Sequence, residues 1–247
     1  MADRRYASYL LATAVMLIAW EVASALVRSP ALPDPISALG SFASLMKGDL
    51  LAHFLISFYR VAVSIAIGVG LAIPLGLILG REESLDRFFA PFIFLTYPIP
   101  KIVFLPVLLL LLGIGNLSKI TLIVLIVFFQ ILVTARDAAR AIPAQSILSV
   151  RSLGAGWKDV YRHVIFPACL PDVFTALRIS VGTAIAVLFL AESYATEEGL
   201  GYFIMDAWTR LDYSQMFGGI LAMALMGALV YEALEVLEKR LCRWTCV

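Results

Sequence analysis

Apolar residues run through this chain in long blocks separated by short polar stretches rich in Gly and Pro, and six blocks read as membrane spans. They cover roughly 9–27, 54–79, 88–112, 120–134, 173–195 and 217–237. A helix needs about 20 predominantly apolar residues to cross the hydrocarbon of a bilayer, and each block carries no more than one or two interior charges. The fourth block is short, so the pattern leaves its ends open. The chain opens like a signal peptide, with Arg4 and Arg5 before an apolar run and a small-x-small site at Ala23 to Ala25. Glu21 and the length of that run favour a retained first span. Composition agrees with a membrane protein: 62% of residues are hydrophobic and 15% charged, against about 45–50% and 25% in soluble domains. The expected fold class is an all-α membrane protein in a single transmembrane domain spanning 1–247.

Basic residues near span ends are held on the cytoplasmic side. With the N-terminus inside, the cytoplasmic segments hold Arg4, Arg5, Arg81, Arg87, Arg136, Arg140, Arg151, Lys158, Arg162, Lys239, Arg240 and Arg243. The external segments hold only Arg28, Lys47, Lys119 and Arg210. This asymmetry puts both termini in the cytoplasm. The net charge of +1 gives no reason to expect nucleic acid as a partner. Cys169, Cys242 and Cys246 form neither a paired framework nor a metal spacing with His, and are read as reduced thiols without a role.

Two spans carry packing signals. In the second, Ser64, Gly68, Ala72, Gly76 and Gly80 recur every four residues, a small-residue ladder on one helix face that permits close helix approach. In the third, Pro91, Pro98, Pro100 and Pro106 remove backbone donors and must bend or break the helix. Such a helix either packs kinked or lines a pathway.

The segment 135–172 is the longest internal connection, far beyond the ~2–8 residues usual between bundled helices, and loops of that length tend to be functional. It is amphipathic: Leu148, Arg151, Trp157, Lys158, Asp159, Tyr161 and Arg162 surround Gly154 and Gly156. A short helix, a glycine break and a second short helix fit this pattern. Pro167 and Pro171 are read as the turn back into the membrane. A plain solvated connector is the competing reading.

SLGAGWKDVYRHVIFP resembles the EAA loop of permease subunits of bacterial ABC importers. That pattern is Glu-Ala-Ala, three residues, Gly, nine residues, Ile, one residue, Leu-Pro. Gly154, Val164, Phe166 and Pro167 match it in spacing, whereas Leu148, Ser149 and Val150 replace the Glu-Ala-Ala triplet. YPIPKIVFLPVLLLLLGIG, AESYATEEGLGYFIMDA and SFYRVAVSIAIGVGLAIPLGLILG are similar to segments of the nitrate, sulfonate and taurine importer branch. The resemblance implies a six-helix type I ABC importer permease fold in the bacterial inner membrane. It also implies two permease copies forming the pathway, an ATPase subunit gripping each coupling loop, and a substrate-binding protein at the outer face. The coupling surface is expected at Leu153, Gly154, Ala155, Gly156, Trp157, Lys158, Asp159 and Tyr161, where glycines permit the turn and aromatic and basic side chains suit a partner's groove. The substrate class implied is a small anion: a sulfonate, taurine, nitrate or a relative. No GxxxxGK[ST] motif occurs, so no ATPase site or cofactor is expected in this chain, and ATP belongs to the partner.

Intramembrane charge is costly and marks function by default. Glu21, Arg60 and Glu192 fall at similar external depth, and Arg60 is expected to pair with Glu192 or Glu21, as a static clamp or in gating. Lys101, beside two prolines, suits a pathway contact for an oxyanion or a bond to a backbone carbonyl freed by the kink. Arg178 is expected to snorkel. The segment 197–212, with Tyr202, Phe203 and Trp208, suits an interfacial helix, and with the 30–49 loop it could receive a binding protein. A secondary transporter or channel is the alternative, but no internal repeat supports it. An intramembrane enzyme is disfavoured, because His53 and His163 are the only histidines and fall on opposite sides.

Overall fold

A computed structural model of the chain describes residues 2–194 and 196–245. Ala195, the expected end of the fifth span, and Cys246 lie outside the described residues, as do the side chains of Arg4 and Arg5. The described residues form helices α1 (Ala2–Val27), α2 (Pro35–Leu45), α3 (Asp49–Arg81), α4 (Glu83–Thr96), α5 (Leu105–Leu112), α6 (Asn116–Ala141), α7 (Ala144–Ser152), α8 (Trp157–Val160), α9 (Phe166–Glu192), α10 (Leu200–Thr209) and α11 (Tyr213–Leu241). No strand occurs among them. Hydrocarbon offers backbone groups no partner, so apolar spans must satisfy their own, as helices do.

Among the described residues, four helices are long and apolar enough to cross a membrane: α3, α6, the continuous run Trp157–Glu192, and α11. The third expected span departs from a single rod. It consists of α4, a 3-10 turn at Lys101–Phe104 and α5, with an 80° bend between the halves. The prolines of YPIP explain the break. Tyr97 keeps helical backbone angles, but Pro98 and Pro100 each lack the N–H that a continuing ladder would use just after Thr96. Pro106 then sits in the first turn of α5, where its missing N–H costs nothing. Pro91 is tolerated inside α4.

The connection 135–172 is helical almost throughout, with longer helices than the two short ones expected. α6 continues to Ala141 and a helix resumes at Trp157, leaving 142–143 and 153–156 outside helices. The glycine break between two helices is present as expected. Pro167 and Pro171 are not a turn, however; they lie inside the run Trp157–Glu192. A π-helical turn at Tyr161–Ile165 precedes them, with Phe166 N–H donating to Tyr161 O. This widened turn accommodates the proline ring, which would collide with the carbonyl four residues earlier in a regular helix. The 30–49 segment is likewise ordered as α2. Asp34 caps it by accepting from Ser37 N (2.9 Å) and Ser37 Oγ (2.6 Å), with Pro35 in the first turn. The Ser37 hydroxyl and amide hold the exposed Asp34 carboxyl below its ordinary range.

The chain packs as two compact units. The first is Met1–Ser57 with Glu192–Leu225, and the second is Phe58–Ala191 with Met226–Val247. In the first unit, the Trp20 indole donates to Pro33 O (3.0 Å) and stacks on Phe217 at 5.6 Å, fixing the exit of α1. Ala38, Leu50, Leu200, Phe203 and Ala207 are buried in this unit. The second unit is organised on a close seam between α3 and α6. A methyl group added at Gly68 would lie 2.9 Å from Val127 Cγ1, and one at Gly76 2.7 Å from Ala135 Cβ. One at Gly80 would collide with Arg136 O. The small-residue ladder is therefore the contact face of α3, with Ala72 fully buried in it.

Candidate coupling surface and buried polar sites

Leu153 to Tyr161 form an exposed projection on a buried base, within the second unit. Val150 O and Arg151 O accept from Leu153 N and Gly154 N, closing α7. Gly154 then takes φ +88°, a conformation that a side chain resists. Asp159 accepts from Gly156 N (3.2 Å) and so caps the start of α8. Leu153 is 87% exposed and Trp157 50%, while Val160 is fully buried. The Arg151 guanidinium lies 4.8 Å from the centre of the Trp157 ring, which holds the indole in place. Gly154, Gly156, Lys158 and Asp159 are exposed, and Ala155 and Tyr161 half-buried. The residues proposed for coupling are thus contiguous and accessible. Beside them, Lys158, Tyr161 and Arg162 face Pro74, Leu77 and Ile78 of α3 across a groove of about 610 Å³.

At the broken span, Lys101 turns back on α4. Its Nζ donates to Thr96 O (2.6 Å) and Tyr97 O (2.8 Å) and lies 4.8 Å from the Phe129 ring centre. The last carbonyls of α4 are left without helical partners at its negative dipole end, and the ammonium satisfies two of them.

Arg60 and Glu192 are buried, 1% and 0% exposed, and belong to different units. In the second unit, Arg60 Nε donates to Asn116 Oδ1 at 2.8 Å. In the first, the Glu192 carboxylate accepts from Ser57 Oγ (2.8 and 2.9 Å) and Gly201 N (3.0 Å). Ser57 Oγ accepts from Leu200 N (2.8 Å) and His53 Nδ1 from Gly199 N (3.1 Å). The unpaired donors at the start of α10 are thus met by side chains from α3 and α9. Glu21 is exposed on α1. Arg178 makes a two-point ion pair with Glu238 (2.5 and 3.1 Å), which α9 and α11 bring together.

Sequence reasoning missed three polar groups. Asp86 receives two hydrogen bonds from Arg136 and one from Arg140, in the second unit. Lys119, read as an external charge, is fully buried and donates to Gly115 O. Ser57 carries no sequence flag except its spacing from Arg60 and Ser64, which puts the three on one helix face.

Long apolar helices, a proline-broken span and an exposed turn between α7 and α8 define the class: an all-α integral membrane protein with the type I ABC importer permease fold. Two structures titled as inward-facing conformations of the MetNI methionine ABC transporter share that fold. Their TM-scores are 0.57 and 0.62 at 20% and 19% identity, covering 75% and 78% of this chain and 95% of theirs. The chain belongs to the family of binding-protein-dependent transport system inner membrane components, whose model matches residues 72–243. It is 31% identical to the putative aliphatic sulfonates transport permease protein SsuC of Bacillus subtilis (strain 168), over 95% of this chain and 86% of that one. It is 30% identical to the taurine transport system permease protein TauC of Escherichia coli (strain K12), over 93% and 86%. A third relative, at 27% over 93% and 92%, is the formylaminopyrimidine transport permease protein ThiX of Halalkalibacterium halodurans (strain ATCC BAA-125 / DSM 18197 / FERM 7344 / JCM 9153 / C-125). The chain is therefore a multi-pass permease subunit of an ABC importer.

Proposed function

We propose that this chain is the membrane gate of an ATP-driven importer for small organic anions of the sulfonate or taurine type. The names of the two relatives at 30% identity or more support that substrate class. Two copies form the pathway, with both termini in the cytoplasm. Leu153 to Tyr161 of each copy seat in a groove on an ATPase subunit, and a binding protein delivers substrate at the opposite face. The observation that carries this reading is the projection at Leu153 and Trp157. Two large apolar side chains are exposed on a glycine turn, with the Arg151 guanidinium against the Trp157 ring. Aromatic anchors of this kind dominate interface energetics, and Lys158 adds a charge that steers association.

The test is reconstitution in proteoliposomes with an ATPase subunit and a sulfonate-binding protein, measuring ATP hydrolysis and uptake of radiolabelled taurine. The expected outcome is hydrolysis stimulated by the loaded binding protein, together with uptake. Hydrolysis that never responds to a loaded binding protein, with any candidate ATPase, refutes the assignment.

A further inference from the structure

The 80° break between α4 and α5 borders a cavity of about 340 Å³, a volume in the range of small-molecule sites, which run from about 300 to 1,000 Å³. Most of its lining is apolar. Lys101 enters from the break, Phe129 and Gln130 from α6, and Thr183 from α9, all within the second unit.

Two features of this lining point to a ligand. An ammonium carries three donors, and Lys101 commits two of them to Thr96 O and Tyr97 O. Those carbonyls and the rings of Tyr97 and Phe129 orient the cation, yet no carboxylate among the described residues pairs with it. A cation inside a membrane span without a counter-ion is costly, and an arriving oxyanion would remove that cost while using the third donor. The second feature is Gln130, whose Oε1 is buried without a hydrogen-bond partner. An unpaired buried carbonyl oxygen gains from any donor brought within reach.

We infer that this cavity is a transit site for a small organic oxyanion carrying a hydrogen-bond donor at its far end. The Lys101 ammonium takes the anionic head, and a modest rotation of the Gln130 side chain brings its carbonyl to an amine or hydroxyl on the tail. The inference rests on the importer reading and sharpens it, since it favours amino- or hydroxy-substituted sulfonates over plain alkanesulfonates at the membrane stage.

The experiment uses the full complex in proteoliposomes with its binding protein. It measures uptake of radiolabelled taurine or ethanesulfonate per ATP hydrolysed. In Lys101→Gln, binding-protein-stimulated hydrolysis persists while taurine uptake per ATP falls about tenfold, the loss of one charge-assisted bond. Lys101→Arg retains most of the uptake. Gln130→Leu lowers taurine uptake per ATP and leaves ethanesulfonate unchanged. If Lys101→Gln lowers hydrolysis and uptake together, Lys101 is only a support for α4 and the site is refuted. An unchanged ratio refutes it as well. Should Lys101→Gln fail to assemble, Gln130→Glu decides: an added carboxylate repels the anion and cuts the ratio, and an unchanged ratio overturns the site. Wild-type complex that imports no sulfonate overturns the importer substrate class itself, whereas wild-type import with unaffected variants overturns the transit site alone.

Discussion

The Ser57 hydroxyl donates to the Glu192 carboxylate at 2.8 Å, joining α3 to the end of α9 across 135 residues of sequence. Because Ser57 Oγ also accepts from Leu200 N, this one hydroxyl couples a buried charge to the first turn of α10.

Ser57→Ala removes both bonds and leaves a buried carboxylate and an amide short of a partner. A loss of about 1–3 kcal/mol follows, read as a lower unfolding temperature in detergent. Gly199→Ala is expected to be worse. Its φ of +110° resists a side chain, and the added methyl would collide with the Glu192 carboxyl group. Equal stability of Gly199→Ala and wild type would show that α10 is not held by this cluster.

The α3 ladder predicts a graded response to methyl groups. Gly80→Ala drives Cβ into Arg136 O and to 2.7 Å from Ala139 Cβ, costing about 1–3 kcal/mol through overpacking. Gly70→Ala, whose Cβ meets nothing within 4 Å, is neutral or gains up to about 1 kcal/mol from helix propensity. Thermal unfolding of the two variants side by side checks the contrast.

Asp86 is 8% exposed and binds Arg136 through both carboxylate oxygens. Asp86→Ala removes the two-point partner of Arg136, leaving its guanidinium only the exposed Asp137 at 3.9 Å, and is expected to cost about 2–4 kcal/mol, somewhat less than a fully enclosed pair. Replacing Asp86 and Arg136 together with Leu should recover most of that loss in the same melt, because the poorly paired, largely buried guanidinium is gone. A double variant as unstable as the single one would contradict this account.

Leu153→Ala and Trp157→Ala sit on exposed positions and should leave the fold intact. Each is expected to weaken ATPase association about tenfold or more, as loss of an anchor does, measured by titrating the ATPase subunit onto the permease in nanodiscs. Undiminished affinity in both variants would remove this turn from the interface.

Periodicity and composition were sufficient to place the apolar helices, the small-residue face of α3 and the glycine break before α8, because each is a local requirement of lipid, close packing or backbone freedom. Hydropathy marks hydrocarbon depth and not helix ends, so α6 runs on through Arg136, Asp137 and Arg140 past its apolar window, and the run Trp157–Glu192 carries Lys158, Asp159 and Arg162 ahead of its own. The prolines were legible as breakers but not as to kind: Pro98 and Pro100 bend a span by 80°, while Pro167 is absorbed by a π-helical turn whose carbonyls make room for it. Partners of buried polar groups lay beyond the sequence altogether. Ser57 with Glu192, Asp86 with Arg136 and Arg178 with Glu238 are separated by 135, 50 and 60 positions. Only the packing of helices against one another decides which distant charge shares a level with which.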